Sequence, residues 1–369
     1  MNAFAIYFPQ FYPIPTNDLA WGKGFTDWSL VARSNMLDEW PRRAPARGFY
    51  DGAAAGLHVE HIHEVKAAHL TGFAVYHYWF YTHQELGAFE RTVLSTSDPQ
   101  RSIPWFLIWA SEGWSRRWLG DPRPLVELAD EPTSSQIEDH CDYLARCFSH
   151  PFYYRWNGRP LFVWYHLAHF RSVSAMLEQY RNALRRRGFD AAFAHFVKNP
   201  LDAAYCELVE ATYLFEPRLF FARRGFGRGP GAKWLLHATQ LTLGRGAARR
   251  LLVVRDRLQR QRVAYSTAEF ERYLISAERL AFRSTLLGDV QEVITPGWNN
   301  APRYGRRSTC LEYLPPALFG DLAHKAASSS SLPALINAWN EWSEGAAIEP
   351  CAYLGTAYLD ALQEQPDDR

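Results

Sequence analysis

Two glutamates near the end of the chain have the spacing and the neighbours that sugar chemistry requires. Glu341 and Glu344 lie three residues apart within residues 337–350, beside the indole side chains of Trp339 and Trp342. One carboxyl group of such a pair can donate a proton while the other accepts one, as in the cleavage of glycosidic bonds. Indole rings also offer large apolar faces to sugar rings. The segment therefore predicts a carbohydrate site with Glu341 and Glu344 as catalytic residues, although either could instead cap a helix or pair with an arginine.

The rest of the chain predicts the elements that would position this pair. Short runs rich in β-branched and aromatic residues alternate with stretches of helical pattern, which is typical of parallel strands joined by crossover helices. We predict strands at residues 4–8, 73–78, 105–109, 161–165, 192–197, 211–215, 292–295 and 335–338, and helices at 58–70, 133–148, 173–187 and 267–282. Eight such units favour an α/β fold of the (β/α)8 TIM barrel type, formed by residues 1–369 as a single domain. A doubly wound sheet would show the same alternation.

Polar and aromatic side chains follow nearly every predicted strand. In barrel enzymes the loops after the strands carry the site, so these side chains are candidates for binding a substrate. The candidates are Tyr7, Gln10, His77, Tyr78, Trp79, Trp109, Glu112, Trp114, Tyr165, Trp298, Asn299, Asn300, Arg303, Asn340, Trp342 and Glu349. Their convergence on one chemistry favours a barrel site over mere packing.

A structural role stays open for four of these residues. His77 could be a buried histidine with its hydrogen bonds satisfied, and Glu112 could pair with the arginine at position 116 or 117. Arg303 could bind a phosphate or carboxylate of the ligand, or hold the loop after the seventh strand. Glu349 directly precedes a proline, where a structural role is as consistent as a sugar contact.

Six blocks of sequence, in order along the chain, resemble a known family. They are AIYFPQFYP at 5–13, WGKGFTDW at 21–28, GFAVYHYWF at 72–80, WASEGW at 109–114, WNNAPR at 298–303 and AWNEWSEG at 338–345. In these blocks the chain resembles the WbsX-like proteins of bacterial surface-polysaccharide gene clusters, which belong with the glycoside hydrolase family 99 barrels. The resemblance covers almost the whole chain.

The resemblance implies roles for the two glutamates. Glu341 would remove the proton of a sugar 2-hydroxyl, which then attacks the anomeric carbon, while Glu344 would protonate the departing oxygen and later activate water. The implied substrate is a glycan of the alpha-mannoside type within a bacterial surface polysaccharide or its precursor. Two positions depart from the family pattern, because Asn299 replaces an acidic residue and Ser111 replaces an asparagine. Both changes bear on substrate choice more than on the fold.

Two other functions stay open. The WbsX name suggests a glycosyltransferase of O-antigen or lipopolysaccharide biosynthesis, although no nucleotide-binding fingerprint or Asp-x-Asp metal motif stands out. A barrel that binds glycan without cleaving it is the third interpretation. The glycan could reach the protein as a lipid-linked oligosaccharide.

Charge is segregated along the chain. Residues 218–262, after the sixth predicted strand, hold eleven arginines and Lys233 but only one acid, Asp256, whereas the whole chain has a net charge of +1. We predict that this basic insertion contacts an anionic partner, such as the inner face of a membrane, a lipid-linked pyrophosphate glycan or a nucleotide sugar. A solvated surface hairpin of helices is the alternative. Nucleic acid is not expected, since no recognised binding motif accompanies the charge.

No metal or other cofactor is predicted. His58 and His61 can share a helix face, but His63 points elsewhere, so the three do not form a metal site. The five cysteines are widely spaced, with no Cys-x-x-Cys pair. The N-terminus lacks the pattern of a signal peptide, and no run of eighteen apolar residues occurs. We therefore expect a cytoplasmic protein, peripheral at the inner face of the membrane.

Overall fold

Eight parallel strands form a closed barrel in the computed structural model, which describes residues 1–34, 44–115, 124–225 and 262–364. In chain order they are β1 (Ala3–Tyr7), β2 (Gly72–Trp79), β3 (Trp105–Trp109), β4 (Arg159–Trp164), β5 (Ala192–Val197), β6 (Ala211–Phe215), β7 (Asp289–Ile294) and β8 (Ala334–Ile336). Each strand pairs with the next, and β8 pairs with β1 to close the barrel. The predicted (β/α)8 TIM barrel is confirmed.

The strands are apolar almost throughout because both of their faces are covered, one by the barrel interior and the other by helices. Every residue of β3 and of β5 is buried. The predicted bounds of β3, β5 and β6 match the observed ones, and the other strands differ by one to three residues at an end. β8 ends early because the Ala338 N–H donates to the carbonyl oxygen of Ala346 at 2.7 Å, which folds the following loop back on itself.

Twelve α-helices are found in the described part of the chain. They are α1 (Pro15–Trp21), α2 (Asp27–Ser34), α3 (Ala55–Ala67), α4 (Ala88–Leu94), α5 (Ser134–Phe148), α6 (Val173–Arg186), α7 (Arg218–Gly225), α8 (Thr267–Leu274), α9 (Ala277–Ser284), α10 (Ala301–Tyr304), α11 (Pro316–Ser328) and α12 (Ala357–Gln363). The predicted helix at 267–282 is in fact two helices, because the Ser276 side chain accepts from the Arg279 N–H at 3.3 Å and caps α9.

Short strands in the segments between the barrel strands form two small additional sheets. Trp114–Ser115 pairs with Pro124–Val126 after β3, and Val263–Tyr265, Trp298–Asn299 and Thr309–Leu311 form a separate three-stranded sheet. The predicted basic insertion begins after β6, where its first residues form α7, and residues 226–261 lie outside the described part of the chain. Within the described ranges, no helix is both long enough and apolar enough to cross a membrane.

Candidate active site

A cavity of about 800 Å³ opens at the carboxyl ends of the barrel strands. Its volume lies in the upper part of the range of about 300–1,000 Å³ that is typical of small-molecule sites. The predicted site residues that line it are Gln10, Tyr78, Glu112, Trp114, Tyr165, Arg303, Glu341 and Glu344. The structure therefore brings both glutamates together with a side chain from the end of β2 and with side chains from the loops after β1, β3, β4 and β7.

The loop after β8 holds Glu341 and Glu344 with both side chains buried, at 5 % exposure each. A single 3-10 turn, Trp342–Glu344, separates them, and Gly345 ends this turn in the left-handed conformation at φ 63°. A β-carbon at Gly345 would lie 3.0 Å from the Asn299 backbone nitrogen and 2.8 Å from the Tyr313 hydroxyl oxygen. Glycine is therefore needed here both for the backbone conformation and for the close approach of the loop after β7.

Arg303 joins the two glutamates through one guanidinium group. Its Nη1 lies 2.6 Å from Glu344 Oε1, and its Nη2 lies 2.9 Å from Glu341 Oε1. Nη2 also donates to Oδ2 of Asp27 at 2.8 Å. The planar fork of an arginine suits such a set of carboxylates, so Arg303 fixes their relative positions.

Asp27 is a third carboxylate of this cluster, and sequence reasoning missed it as a site residue. It lies at the start of α2 with no exposed surface. The Ser343 hydroxyl donates to Asp27 Oδ2 and lies 3.2 Å from Glu341 Oε1. The only sequence signal was its place in the block WGKGFTDW at 21–28, far along the chain from the glutamates.

Arg218 is a second cation beside the pair, and it too was missed. Its Nη2 lies 3.2 Å from both carboxylate oxygens of Glu344, and its guanidinium lies 5.2 Å from the centre of the Trp298 ring. Arg218 is the first residue of α7, directly where the basic insertion starts. Because ten further arginines follow Arg218 in residues 218–262, the sequence did not single it out as a residue of the cavity lining.

The charges of this cluster do not balance unless one acid keeps its proton. Asp27, Glu341 and Glu344 face two guanidinium groups, those of Arg218 and Arg303. Burial raises the pKa of Glu341 to about 8; Arg303 opposes this rise, while the charges of Glu344 and Asp27 add to it. Glu341 is therefore mainly protonated at neutral pH in the free protein.

Aromatic side chains form the walls of the cavity. The Tyr76 and Tyr165 rings meet edge to face at 5.7 Å, and the Tyr78 and Trp114 rings do so at 5.4 Å. Burial raises the pKa of the Tyr76 and Tyr78 phenols well above the usual value, and the Glu341 charge adds to the effect. Both phenols stay neutral and can donate to acceptor oxygens of a ligand. Tyr76, which sequence reasoning did not assign, is therefore part of the site.

Glu112 lies in the wall formed by the loop after β3. Its side chain is 47 % exposed, and its Oε2 lies 3.3 Å from Nδ1 of His166. The alternative partners at positions 116 and 117 lie outside the described residues. Glu112 is thus placed to meet a ligand, with His166 beside it in the same lining.

His77, Trp79, Trp109 and Tyr7 do not reach the cavity, because successive side chains of a strand point to opposite faces. Tyr76 and Tyr78 point inwards, so His77 lies between β2 and the helices. There its Nδ1 lies 3.0 Å from Glu90 Oε2 and its Nε2 lies 3.1 Å from Nε2 of His140.

The other three residues of this group pack in the same outer layer. Trp79 stacks on His140 at 5.1 Å, and Trp109 meets the same ring edge to face at 4.6 Å. The Tyr7 hydroxyl lies 3.3 Å from Nδ1 of His61. These side chains belong to the barrel wall, and the structure places them outside the cavity lining.

Asn340, Trp342 and Glu349 support the loop after β8 from behind. Asn340 accepts from the Phe8 N–H at 2.8 Å and donates to the Phe8 carbonyl at 2.9 Å. The indole N–H of Trp342 donates to Glu349 Oε2 at 2.8 Å. Glu349 is 1 % exposed and is absent from the cavity lining. Its role is therefore to hold the indole of Trp342, the residue that directly follows Glu341.

Trp298, Asn299 and Asn300 shape the loop that carries Arg303. Asn299 Oδ1 accepts from the Ala301 N–H at 3.0 Å, and Asn300 Oδ1 accepts from the Thr309 N–H at 2.8 Å. All three lie outside the cavity lining. The asparagine at 299 therefore acts on the loop backbone and not on the rim of the cavity.

Among the described residues, no group of three or more His, Cys, Asp or Glu side chains is arranged to hold a metal ion. His58 has both ring nitrogens engaged, by Thr92 Oγ1 at 2.7 Å and by the Gly52 carbonyl at 2.8 Å. His61 Nε2 lies 3.2 Å from Glu349 Oε1. These histidines fasten α3 to the barrel.

Comparison with known proteins gives both sequence relatives and structural neighbours. Residues 3–362 match the family model described as Glycosyltransferase WbsX. Two uncharacterised WxcX proteins of Xanthomonas campestris pv. campestris, from strains ATCC 33913 and B100, are similar to this chain. Each is 28 % identical to it over an alignment that covers 98 % of this chain. The chain spans about half the length of these relatives, 49 % in each case.

The structural neighbours include the GH99 endo-alpha-mannosidase from Bacteroides thetaiotaomicron, solved in complex with Bis-Tris propane. It has a TM-score of 0.54 and 15 % identity, with 98 % of this chain and 95 % of the neighbour covered. A protein described as glycoside hydrolase-like has a TM-score of 0.56 and 14 % identity, over 98 % and 92 % of the two chains. At such identities the likeness concerns the fold. Since the family model spans nearly every residue, the chain belongs to the WbsX glycosyltransferase family.

Proposed function

We propose that this protein breaks or transfers a glycosidic bond of the alpha-mannoside type in a bacterial surface polysaccharide or its precursor. The chain belongs to a family described as a glycosyltransferase, and it shares its barrel fold with a glycoside hydrolase. Both findings support a carbohydrate-active protein. The observation that carries the finer proposal is the pair Glu341 and Glu344, held by one guanidinium in the lining of an aromatic-walled cavity. The identity of the glycan follows from the resemblance alone.

The chemistry needs one proton shared by two carboxyl groups. One carboxyl must protonate the departing oxygen while the other, ionised, removes the proton of the attacking hydroxyl. In the proposed reaction this hydroxyl is the 2-hydroxyl of the sugar, with Glu341 as its base and Glu344 as the acid. In the free protein the raised pKa of Glu341, about 8, places a proton on Glu341, so in this proposal that proton passes to Glu344 before the departing oxygen is protonated.

Arg303 positions the pair in this proposal and does not bind an anion of the ligand. Its two terminal nitrogens already contact Asp27, Glu341 and Glu344.

The direct test is turnover of defined glycosides. The full chain is incubated with alpha-mannobiose and alpha-mannotetraose, and release of reducing ends is measured; we expect cleavage at an internal or terminal bond. Absence of any cleavage or transfer with these glycosides, under conditions where the protein stays folded, would contradict the alpha-mannoside proposal.

A glycosyltransferase is the second candidate, because the family that the chain matches is described as one. Such an enzyme would consume a nucleotide sugar, and nucleotide release in the presence of an acceptor glycan would reveal it. A barrel that binds glycan without reacting is the third candidate. It would bind the same oligosaccharides and give neither reducing ends nor nucleotide.

Activity should fall as the pH rises above about 8. The pair is active only with one proton, and the raised pKa of Glu341, about 8, marks the loss of that proton from the free protein. The fall is therefore expected whichever glutamate donates to the leaving oxygen. A profile of kcat/KM from pH 5 to 10 measures it, and a rate that keeps rising beyond pH 9 would contradict the requirement for a protonated pair.

Peripheral contact with an anionic membrane through residues 218–262 is part of the proposal. Support comes from the eleven arginines of the segment and from its start beside the cavity at Arg218, which would bring a lipid-linked oligosaccharide to the site. Flotation with liposomes tests it: we expect binding to vesicles with 30 mol % anionic lipid and release at high salt. Equal binding to neutral vesicles, or none to either, would count against membrane contact.

A further inference from the structure

Two asparagines in the cavity lining have buried amide groups without a hydrogen-bond partner among the described residues. Asn17 and Asn337 are each 2 % exposed, and the Nδ2 atom of each is buried and unpartnered there. Both side chains line the same cavity as Glu341 and Glu344. Buried polar groups are nearly always satisfied in folded proteins, so two orphan donors in one cavity indicate a ligand that brings acceptor oxygens.

Asn337 lies close to Glu341 and Glu344 in the chain and lines the same cavity. It directly follows β8, and its N–H donates to the Ile294 carbonyl at 2.8 Å, so its backbone is fixed by the barrel itself. The loop that it starts leads straight to Glu341. Nε of Arg218, the arginine beside Glu344, is also buried and without a partner among the described residues. Two unsatisfied donors, on Asn337 and Arg218, therefore belong to the cavity lining that also holds the pair.

Asn17 belongs to a different wall. It lies on α1, which packs against the short strand Pro124–Val126, the partner of Trp114–Ser115. Trp21 of the same helix and Trp114 also line the cavity. An amide donor beside two indoles is a suitable place for a second sugar ring, which would rest its apolar face on an indole and accept from the amide.

We propose that Asn337 and Asn17 are sugar-binding residues of two separate subsites. Asn337 donates to an oxygen of the ring that reacts over Glu341 and Glu344, and Asn17 donates to an oxygen of a ring further along the same oligosaccharide. The inference rests on the proposed function for the identity of the glycan. It adds to the proposed function that the ligand is an oligosaccharide and not a single sugar, because one ring would accept from the Asn337 amide and another from the Asn17 amide.

The test measures binding apart from turnover, as a function of chain length. The full chain carrying Glu341→Gln is titrated with methyl alpha-mannoside, alpha-mannobiose and alpha-mannotetraose, using ligand-observed NMR for the first and calorimetry for the others. Asn337→Ala in this background should weaken all three probes by roughly three- to tenfold, the scale of one lost hydrogen bond. Asn17→Ala should weaken mannotetraose by a similar factor and leave methyl alpha-mannoside unchanged.

Asn182→Ala, an exposed asparagine on α6, is the matched control and should change no affinity. Unchanged affinities in both cavity variants would overturn the inference. Equal losses of affinity for every probe in both variants, together with a lowered melting temperature, would also overturn it, because they would show a general loss of structure. Failure of all three probes to bind would also overturn it. Binding that depends on Asn337 without any turnover by the wild-type chain would instead refute the proposed catalysis and leave the inference standing.

Discussion

Glu341→Gln and Glu344→Gln should each lower kcat of an accepted glycoside by about 10²–10⁴-fold, the usual contribution of a general acid or base. Glutamine keeps the shape of the side chain and part of its hydrogen bonding to Arg303, but it can neither hold nor release the reacting proton. The two effects should not add in the double variant, because the pair shares one proton and acts as a unit. Steady-state rates on alpha-mannotetraose, with melting temperatures recorded alongside, measure this.

Glu178→Gln provides the matched control, since Glu178 is exposed on α6, away from the cavity. Its rate should equal that of the wild-type chain. Full activity in either cavity variant would remove that glutamate from the mechanism. Loss of activity accompanied by unfolding would be separated from a chemical effect by circular dichroism on the same samples.

The barrel could be predicted from sequence because its strands are buried on both faces. Such strands appear as continuous apolar runs, and β3, β5 and β6 were found with their observed bounds for that reason. The limits of β7 were less clear, because Asp289, Gln291 and Glu292 interrupt its apolar pattern. The break between α8 and α9 was missed because Ser276 can stand within a helix as well as cap one.

The candidate site was predicted less completely, and alternation along the strands explains why. The cluster of Tyr76, His77, Tyr78 and Trp79 has the same composition whichever residues face inwards, and one step in register exchanges the lining for the outer wall. Sequence composition placed candidate site residues at the carboxyl end of β2, within one residue of the observed end at Trp79. It could not decide that Tyr76 and Tyr78 line the cavity while His77 joins Glu90 and His140 outside it.

Asp27 and Arg218 were missed for a different reason. Each comes from a segment distant in sequence, and each completes a charge pattern that exists only when the barrel closes. A sequence shows which residues are charged but not which charges are buried together. The functional consequence is that this site is a cluster of three buried acids and two partly exposed arginines, in which the removal of one member changes the protonation and position of the others.

Arg303 is the member whose loss should cost most. We expect Arg303→Met to lower the free energy of unfolding by about 3–5 kcal/mol at pH 7, the scale for removing one partner of a buried ion pair. Its side chain is 12 % exposed and contacts Asp27, Glu341 and Glu344, so the variant would bury acids without their shared cation. Arg303→Lys keeps the charge but not the planar fork, and it should be intermediate. Urea unfolding followed by tryptophan fluorescence measures the change.

The pH dependence of this loss identifies its cause. Glu341, with a raised pKa of about 8, is mostly protonated at pH 7, so its charge contributes little to the deficit at that pH. The charge of Arg303 lowers the pKa of Glu341, so the Arg303→Met variant should have a still higher Glu341 pKa. Above pH 8 the folded variant must either hold this proton or bury the Glu341 charge without its cation. The loss of stability should therefore grow as the pH rises above 8.

The matched control for Arg303→Met is Arg171→Met. Arg171 is 65 % exposed and pairs with Asp130 and Glu131 at 3.2 and 3.1 Å, so its loss should change stability by less than about 1 kcal/mol at any pH. A deficit for Arg303→Met that is equally small, or that does not vary with pH, would mean that the three acids do not depend on Arg303 for their charge. The proposed shared proton would then lose its structural basis, since the arginine could no longer be what holds the pair together.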